Sequence, residues 1–141
     1  MIRGLRTLPA RLDRITETTG KMIAYLEQHA KVERILFPLH PSFPQYELAK
    51  NQMKGACGLI GFYIKANTRQ QIVNFCESMQ HIMMAVSWGG HESLILPKCA
   101  ALNEAEFDRN QAEHRLLRLY VGLEDANYLI GDLEQAFTKS V

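Results

Sequence analysis

The amino-acid sequence predicts an α/β sandwich, one sheet covered by helices. Two observations carry that prediction. Apolar residues recur at helical spacing in some segments and alternate at strand spacing in others, and the two kinds of segment take turns along the chain. The connections between them are short, and no segment repeats. A chain of 141 residues also fits a single domain, expected over residues 1–141.

The elements follow in order. Residues 1–30 read as a long helix, because Ile2, Leu5, Leu8, Leu12, Ile15, Met22, Ile23 and Leu26 draw an apolar stripe along one side. Pro9 interrupts it, so the helix either kinks there or starts again at that residue. Val32–Phe37 predicts a short strand stopped by Pro38, residues 38–46 a loop, and Tyr46–Met53 a short helix. Gly58–Lys65 is rich in β-branched and aromatic residues and predicts a buried strand. Thr68 and Gln71 form a capping box, and Ile72, Phe75, Met79, Ile82 and Met83 extend the helix behind it. Brief strands follow at Met84–Val86 and Leu94–Leu96. Asn103 and Glu106 repeat the capping pattern ahead of a helix over 104–112. Leu116–Val121 predicts a strand with Leu117, Leu119 and Val121 on one face and Leu116, Arg118 and Tyr120 on the other. Glu124 and Asp125 suit the first turn of a last helix, whose buried side is Leu129, Leu133, Ala136 and Phe137.

Composition narrows the function. The net charge is +1, from 16 basic and 15 acidic residues, which argues against a general nucleic-acid or anionic-membrane surface. No apolar run reaches the roughly 18 residues of a membrane span. The basic N-terminus is followed by no apolar core and cleavage site of a signal peptide. Cys57, Cys76 and Cys99 are an odd, scattered set, as expected of reduced thiols in the cytoplasm. The five histidines lack the spacing of a zinc site, so no metal is expected.

Two places stand out. The first is Ser87-Trp88-Gly89-Gly90-His91-Glu92-Ser93-Leu94, which holds the only tryptophan and a glycine pair between two apolar segments. It is either a tight loop with a half-buried Trp anchor or a turn presenting a hydroxyl and backbone N–H groups to a ligand. The second is Arg118, inside an apolar strand. Its fork either grips a carboxylate or phosphate, or lies on an open sheet face paired with a neighbouring acid or water. No complete catalytic set is present.

Three motifs in order give a more specific likeness: Arg3-Gly4-Leu5-Arg6-Thr7-Leu8-Pro9-Ala10-Arg11-Leu12, then the Ser87–Leu94 stretch, then Arg118-Leu119-Tyr120-Val121-Gly122-Leu123-Glu124-Asp125. Together they closely resemble the C-terminal domain of the pyridoxal-phosphate (PLP)-dependent trans-sulfuration enzymes, the Cys/Met metabolism family, over Arg3 to Phe137. Trp88 after the serine is most similar to the cystathionine β-lyase branch.

The resemblance implies the small C-terminal domain of fold-type-I PLP enzymes, a mostly antiparallel sheet with helices on one side. It implies that Arg118 grips the substrate α-carboxylate and that Ser87 and Trp88 complete the pocket. It further implies PLP as cofactor, a cystathionine-like sulfur amino acid as substrate, and a homotetrameric full-length lyase. Val86 and His91 depart from the branch pattern beside the pocket. No lysine here sits in the family's Schiff-base motif. The expectation is therefore a fragment whose cofactor domain lies upstream, with no catalytic or cofactor-binding residue of its own and no activity alone.

Overall fold

The computed structural model describes residues 2–140, with the side chains of Ile2 and Arg3 outside the description. Helix α1 (Ile2–Arg6) leads into α2 (Leu8–Gln28). Pro9 lies in the first turn of α2, where its missing N–H has no helical partner to lose, so the second of the two proline alternatives holds. The Arg11 guanidinium reaches back across the break to Gly4 O at 2.9 Å. The apolar stripe is covered only from Ile15 onward, through Met22 and Leu26, and Leu5, Leu8 and Leu12 stay exposed.

Strands β1 (Val32–Leu36), β2 (Leu59–Ile64), β3 (Met83–Met84), β4 (Leu94–Pro97) and β5 (Leu116–Tyr120) form one sheet in the order β1-β2-β5-β4-β3. Every pairing is antiparallel except β3 with β4. An irregularity between Val32 and Arg34 inserts Glu33 into β1. That bulge lets Val32 and Ile35 both reach the core, which simple alternation would forbid. The remaining helices are α3 (Tyr46–Gln52), α4 (Arg69–Glu77) and α5 (Ala126–Ser140).

One face of the sheet carries Ile35, Ile60, Phe62, Ile95, Leu117 and Leu119 into a common core. Against it pack Met22 and Leu26 of α2, Ile72 and Phe75 of α4, and Leu129, Leu133, Ala136 and Phe137 of α5. Burying apolar surface at about 25 cal/mol per Å² makes this one-sided layer the main stabilising feature. The other face bears Leu36, Gly61, Arg118 and Leu96 in one row across four strands. Its two ends are covered: Ile15 packs with Leu94 and Tyr120 at one, and at the other Tyr63, almost fully buried, lies under the Arg34 guanidinium.

Four expectations need correction. The helix behind the Thr68 capping box stops at Glu77 rather than running to Met83. Asp132 of α5 accepts the N–H groups of Gln80, His81 and Ile82, and those bonds replace a further helical turn. Strand β3 is Met83–Met84, so it begins one residue earlier than expected and stops short of Val86. No helix spans 104–112, although the capping contacts do form: Asn103 Oδ1 accepts from Ala105 and Glu106 N–H, and Glu106 accepts from Asn103 N–H. Beyond them, Asp108 N–H turns to the His114 ring and Asn110 N–H to the Asp108 carboxylate, which draws the backbone away from helix. Short 3₁₀ turns, Lys98–Ala101 and Ala112–Arg115, flank the segment instead. Last, α5 starts after Glu124 and Asp125. Asp125 caps it by accepting from Asn127 N–H at 2.8 Å, and Glu124 is engaged elsewhere.

Candidate functional site

Strand alternation turns Arg118 onto the open sheet face, since its neighbours Leu117 and Leu119 are both fully buried on the other. Arg118 stands between Gly61 on β2 and Leu96 on β4. Its guanidinium donates to the carbonyl oxygen of Val86, and more weakly to that of Ser87 at 3.4 Å. It borders a concavity of about 320 Å³ lined with Leu36, Gly61, Leu96, Lys98 and Leu116. The walls are mainly apolar, and the cations sit at the margin. Lys98 is drawn toward Glu113, 3.7 Å away.

The structure therefore brings Arg118 and Ser87 together, through the Ser87 backbone. Trp88 follows with 61% of its surface exposed, so it is not the half-buried anchor of the bland alternative. Gly89 has φ +89°, a conformation that costs a side-chain-bearing residue strain. Ser87 and Trp88 are both exposed, and neither lines the concavity.

Sequence reasoning missed what holds this loop. Glu124, expected in a helix turn, accepts from Ser93 N–H at 2.7 Å and from the Ser93 hydroxyl at 2.8 Å. That same hydroxyl accepts from Gly122 N–H at 2.9 Å. Tyr120 OH donates to Gly90 O at 3.0 Å, and Leu123 N–H donates to His91 O at 2.8 Å. Burial pushes the Tyr120 phenol above its ordinary value, which keeps it a donor. Arg14 of α2 closes the cluster from behind by donating to Glu124 O at 3.2 Å. The available signal was Gly122: glycine beside an apolar strand marks close backbone approach, here to His91 O.

Other chemistry is sparse. Burial pushes the Cys76 thiol up to about 12 and raises Cys99 as well, so neither is a thiolate nucleophile at neutral pH. Among the described residues, no group of three His, Cys, Asp or Glu side chains could hold a metal ion. No helix of the described residues is long and apolar enough to cross a membrane.

The comparisons with known proteins bear on the whole chain. The family described as Cys/Met metabolism PLP-dependent enzyme matches residues 1–138. The chain belongs to that family. Cystathionine gamma-lyase of Dictyostelium discoideum is 39% identical over 98% of the chain, and cystathionine beta-lyase of Escherichia coli (strain K12) is 35% identical over 99%. L-methionine gamma-lyase of Treponema denticola is 38% identical, again over 99% of the chain. The solved cystathionine gamma synthase of Xanthomonas oryzae pv. oryzae, in complex with aminoacrylate and cysteine, superposes with a TM-score of 0.84 at 30% identity. It matches 98% of this chain and 36% of its own length. The chain spans only 35–36% of the lengths of the three curated relatives.

A Cys/Met metabolism enzyme depends on PLP, held by a lysine amine aimed into a closed cleft. Three lysines of this chain are engaged within its own fold. Lys21 pairs with Glu17 at 2.6 Å, Lys31 donates to Phe137 O at 2.7 Å, and Lys65 donates to Ala30 O at 2.8 Å. Lys50, Lys54, Lys98 and Lys139 are exposed.

Proposed function

We propose that residues 1–141 form the substrate-carboxylate-binding domain of a PLP-dependent carbon–sulfur lyase acting on cystathionine-like amino acids by α,β-elimination. In this reading the cofactor-binding domain precedes these residues in a longer cytoplasmic, homotetrameric enzyme, and the chain alone is inactive. The observation that carries it is Arg118: a guanidinium on the open face of an otherwise apolar strand, held by the Val86 and Ser87 carbonyls at the edge of a concavity.

The physical argument runs through that fork. A guanidinium has five N–H donors in a rigid plane. Two carbonyl contacts on one nitrogen fix its orientation and leave other donors for a carboxylate, which it meets with two parallel hydrogen bonds. The mainly apolar lining offers few competing polar groups beside that contact. The Ser87 hydroxyl and the backbone donors around Gly89 supply further hydrogen bonds at the rim, with Trp88 as a flat wall. Such a grip sets the substrate's orientation, the contribution that positioning makes to catalysis.

A second reading is a γ-lyase or γ-synthase of the same family, which the Dictyostelium relative's 39% identity favours. Product analysis separates the two. α,β-Elimination of cystathionine, with water, yields homocysteine, pyruvate and ammonia, and γ-elimination yields cysteine, 2-oxobutyrate and ammonia. A stand-alone amino-acid- or partner-binding domain is the non-enzymatic alternative.

The test is Arg118→Ala in the enzyme containing this chain. We expect kcat/KM to fall by about 2–5 kcal/mol of transition-state stabilisation, the range for truncating one partner of a buried charge pair, with cofactor content unchanged. Wild-type kcat/KM removes Arg118 from the site.

A further inference from the structure

The structure assigns Glu124 as a positioning residue for Arg118, acting through Ser93 and the 86–93 loop. This inference rests on the carboxylate-binding role proposed for Arg118. The loop has two fastened ends. At one end the Val86 and Ser87 carbonyls take the Arg118 guanidinium. At the other the Glu124 carboxylate takes both donors of Ser93, N–H at 2.7 Å and hydroxyl at 2.8 Å.

Both fastenings come from one run of chain. Arg118 lies on β5, and Glu124 sits six residues further on, just past its end. Between the two, Tyr120 and Leu123 hold Gly90 and His91 by their carbonyls. Gly122 lies so close that an added Cβ would stand 2.3 Å from His91 O. The strand that carries the arginine thus also fixes the loop that aims it. Ser93 is fully buried, and its hydroxyl donates to Glu124 while accepting from Gly122 N–H at 2.9 Å. A carboxylate at 124 is the acceptor this arrangement needs, because both Ser93 groups arrive as donors.

Glu124→Gln keeps an oxygen for the Ser93 N–H but turns its NH2 group to the hydroxyl, whose proton then loses its acceptor. The loop end is released, and the carbonyls that orient Arg118 lose their fixed place. In the holoenzyme containing this chain, KM for the amino-acid substrate should rise about tenfold, the order expected of one charge-assisted hydrogen bond, with kcat nearly unchanged. In an Arg118→Ala background the same substitution should add nothing to KM. Ser93→Ala keeps the N–H contact and should give a smaller rise of the same kind, should Glu124→Gln fail to fold.

A wild-type KM in both Glu124→Gln and Ser93→Ala overturns the inference. So does an undiminished effect of Glu124→Gln on top of Arg118→Ala, since Glu124 would then act independently. If Arg118→Ala itself leaves KM unchanged, the carboxylate-binding role fails by its own measure. The clamp is then read from the steady-state anisotropy of Trp88, the only tryptophan of these 141 residues, in the enzyme with any tryptophan outside them replaced by phenylalanine. Anisotropy measured well below the thermal transition should drop in Glu124→Gln, and an unaltered value overturns the clamp.

Discussion

Gly61 stands directly across from Arg118 on the neighbouring strand. Paired residues of an antiparallel ladder share a face, so the missing side chain at 61 leaves the floor beside the guanidinium open. An added Cβ would lie 3.1 Å from the Leu36 Cβ and 3.5 Å from Leu116 Cδ1, tight but not impossible. Gly61→Val should therefore fold, because a β-branched residue suits a strand. It should weaken substrate binding by about tenfold in KM by overfilling the concavity. An unchanged KM in a folded Gly61→Val enzyme would show that substrate never enters this floor.

Arg118→Lys probes the fork itself. An ammonium is a point charge without the planar pair of donors, and it cannot hold the Val86 and Ser87 carbonyls and a carboxylate in the same geometry. We expect it to recover only part of the kcat/KM lost in Arg118→Ala. Full recovery by lysine would reduce the site to simple charge attraction.

Asp132 sets where the edge of the sheet begins. It is buried, and it accepts from Gln80 N–H at 2.8 Å and from His81 and Ile82 N–H at 2.9 Å each. Burial alone would raise its pKa, but the three backbone donors and the Gln135 amide together hold it below the usual carboxylate range. With the folded value depressed, its stabilisation is fully present above the unfolded pKa of about 3.9 and is lost as pH falls through the folded value. Asp132→Ala should lower unfolding free energy by about 3 kcal/mol at pH 7, since it leaves the Ile82 N–H buried without an acceptor. The gap between wild type and variant in urea unfolding should narrow below about pH 4. A gap that is constant with pH would mean the carboxylate charge contributes nothing.

Much of this was legible in the sequence because it is periodic. Leu117 and Leu119 against Arg118 gave the face of β5, and Leu129, Leu133, Ala136 and Phe137 gave the buried side of α5, both as found. The ends of elements were less legible because partners distant in sequence decide them. Nothing near Ser78 says that α4 must stop, since the carboxylate that captures the next amides comes from residue 132. Glu124 looked like a helix-turn acid by local rules, and only the folded chain brings it to Ser93, 31 residues away. The Ser87–Leu94 and Arg118–Asp125 motifs meet in the fold, joined by the Arg118 and Glu124 contacts. Which of their residues face outward and which clamp the loop is a tertiary matter, and there Trp88 proved exposed while Ser93 proved buried.

The glycine pair separates shape from side chains in the 87–90 turn. Gly89 has φ +89° with open space around its Cβ position, so a substitution there is strained by backbone conformation alone. Gly90 does not have positive φ, and its added Cβ would meet the Glu92 carboxylate at 2.5 Å, the movable end of a flexible side chain. Gly89→Val should thus cost about 1–3 kcal/mol through strain, or the loop should relax and let go of the arginine. Gly90→Ala should be milder, because Glu92 can swing away. Trp88→Ala should hardly change the thermal midpoint of the isolated chain, since the ring is mostly exposed. Ser87→Ala should cost about 1.5–3 kcal/mol in substrate binding if its hydroxyl meets a carboxylate, with stability unaffected. The decisive comparison is Gly89→Val against Ser87→Ala in KM for the amino-acid substrate. A larger rise for Gly89→Val means that the turn works through its backbone shape. Wild-type KM in both, beside a badly destabilised Trp88→Ala chain, would make the stretch a structural turn and leave Arg118 without a loop to act with.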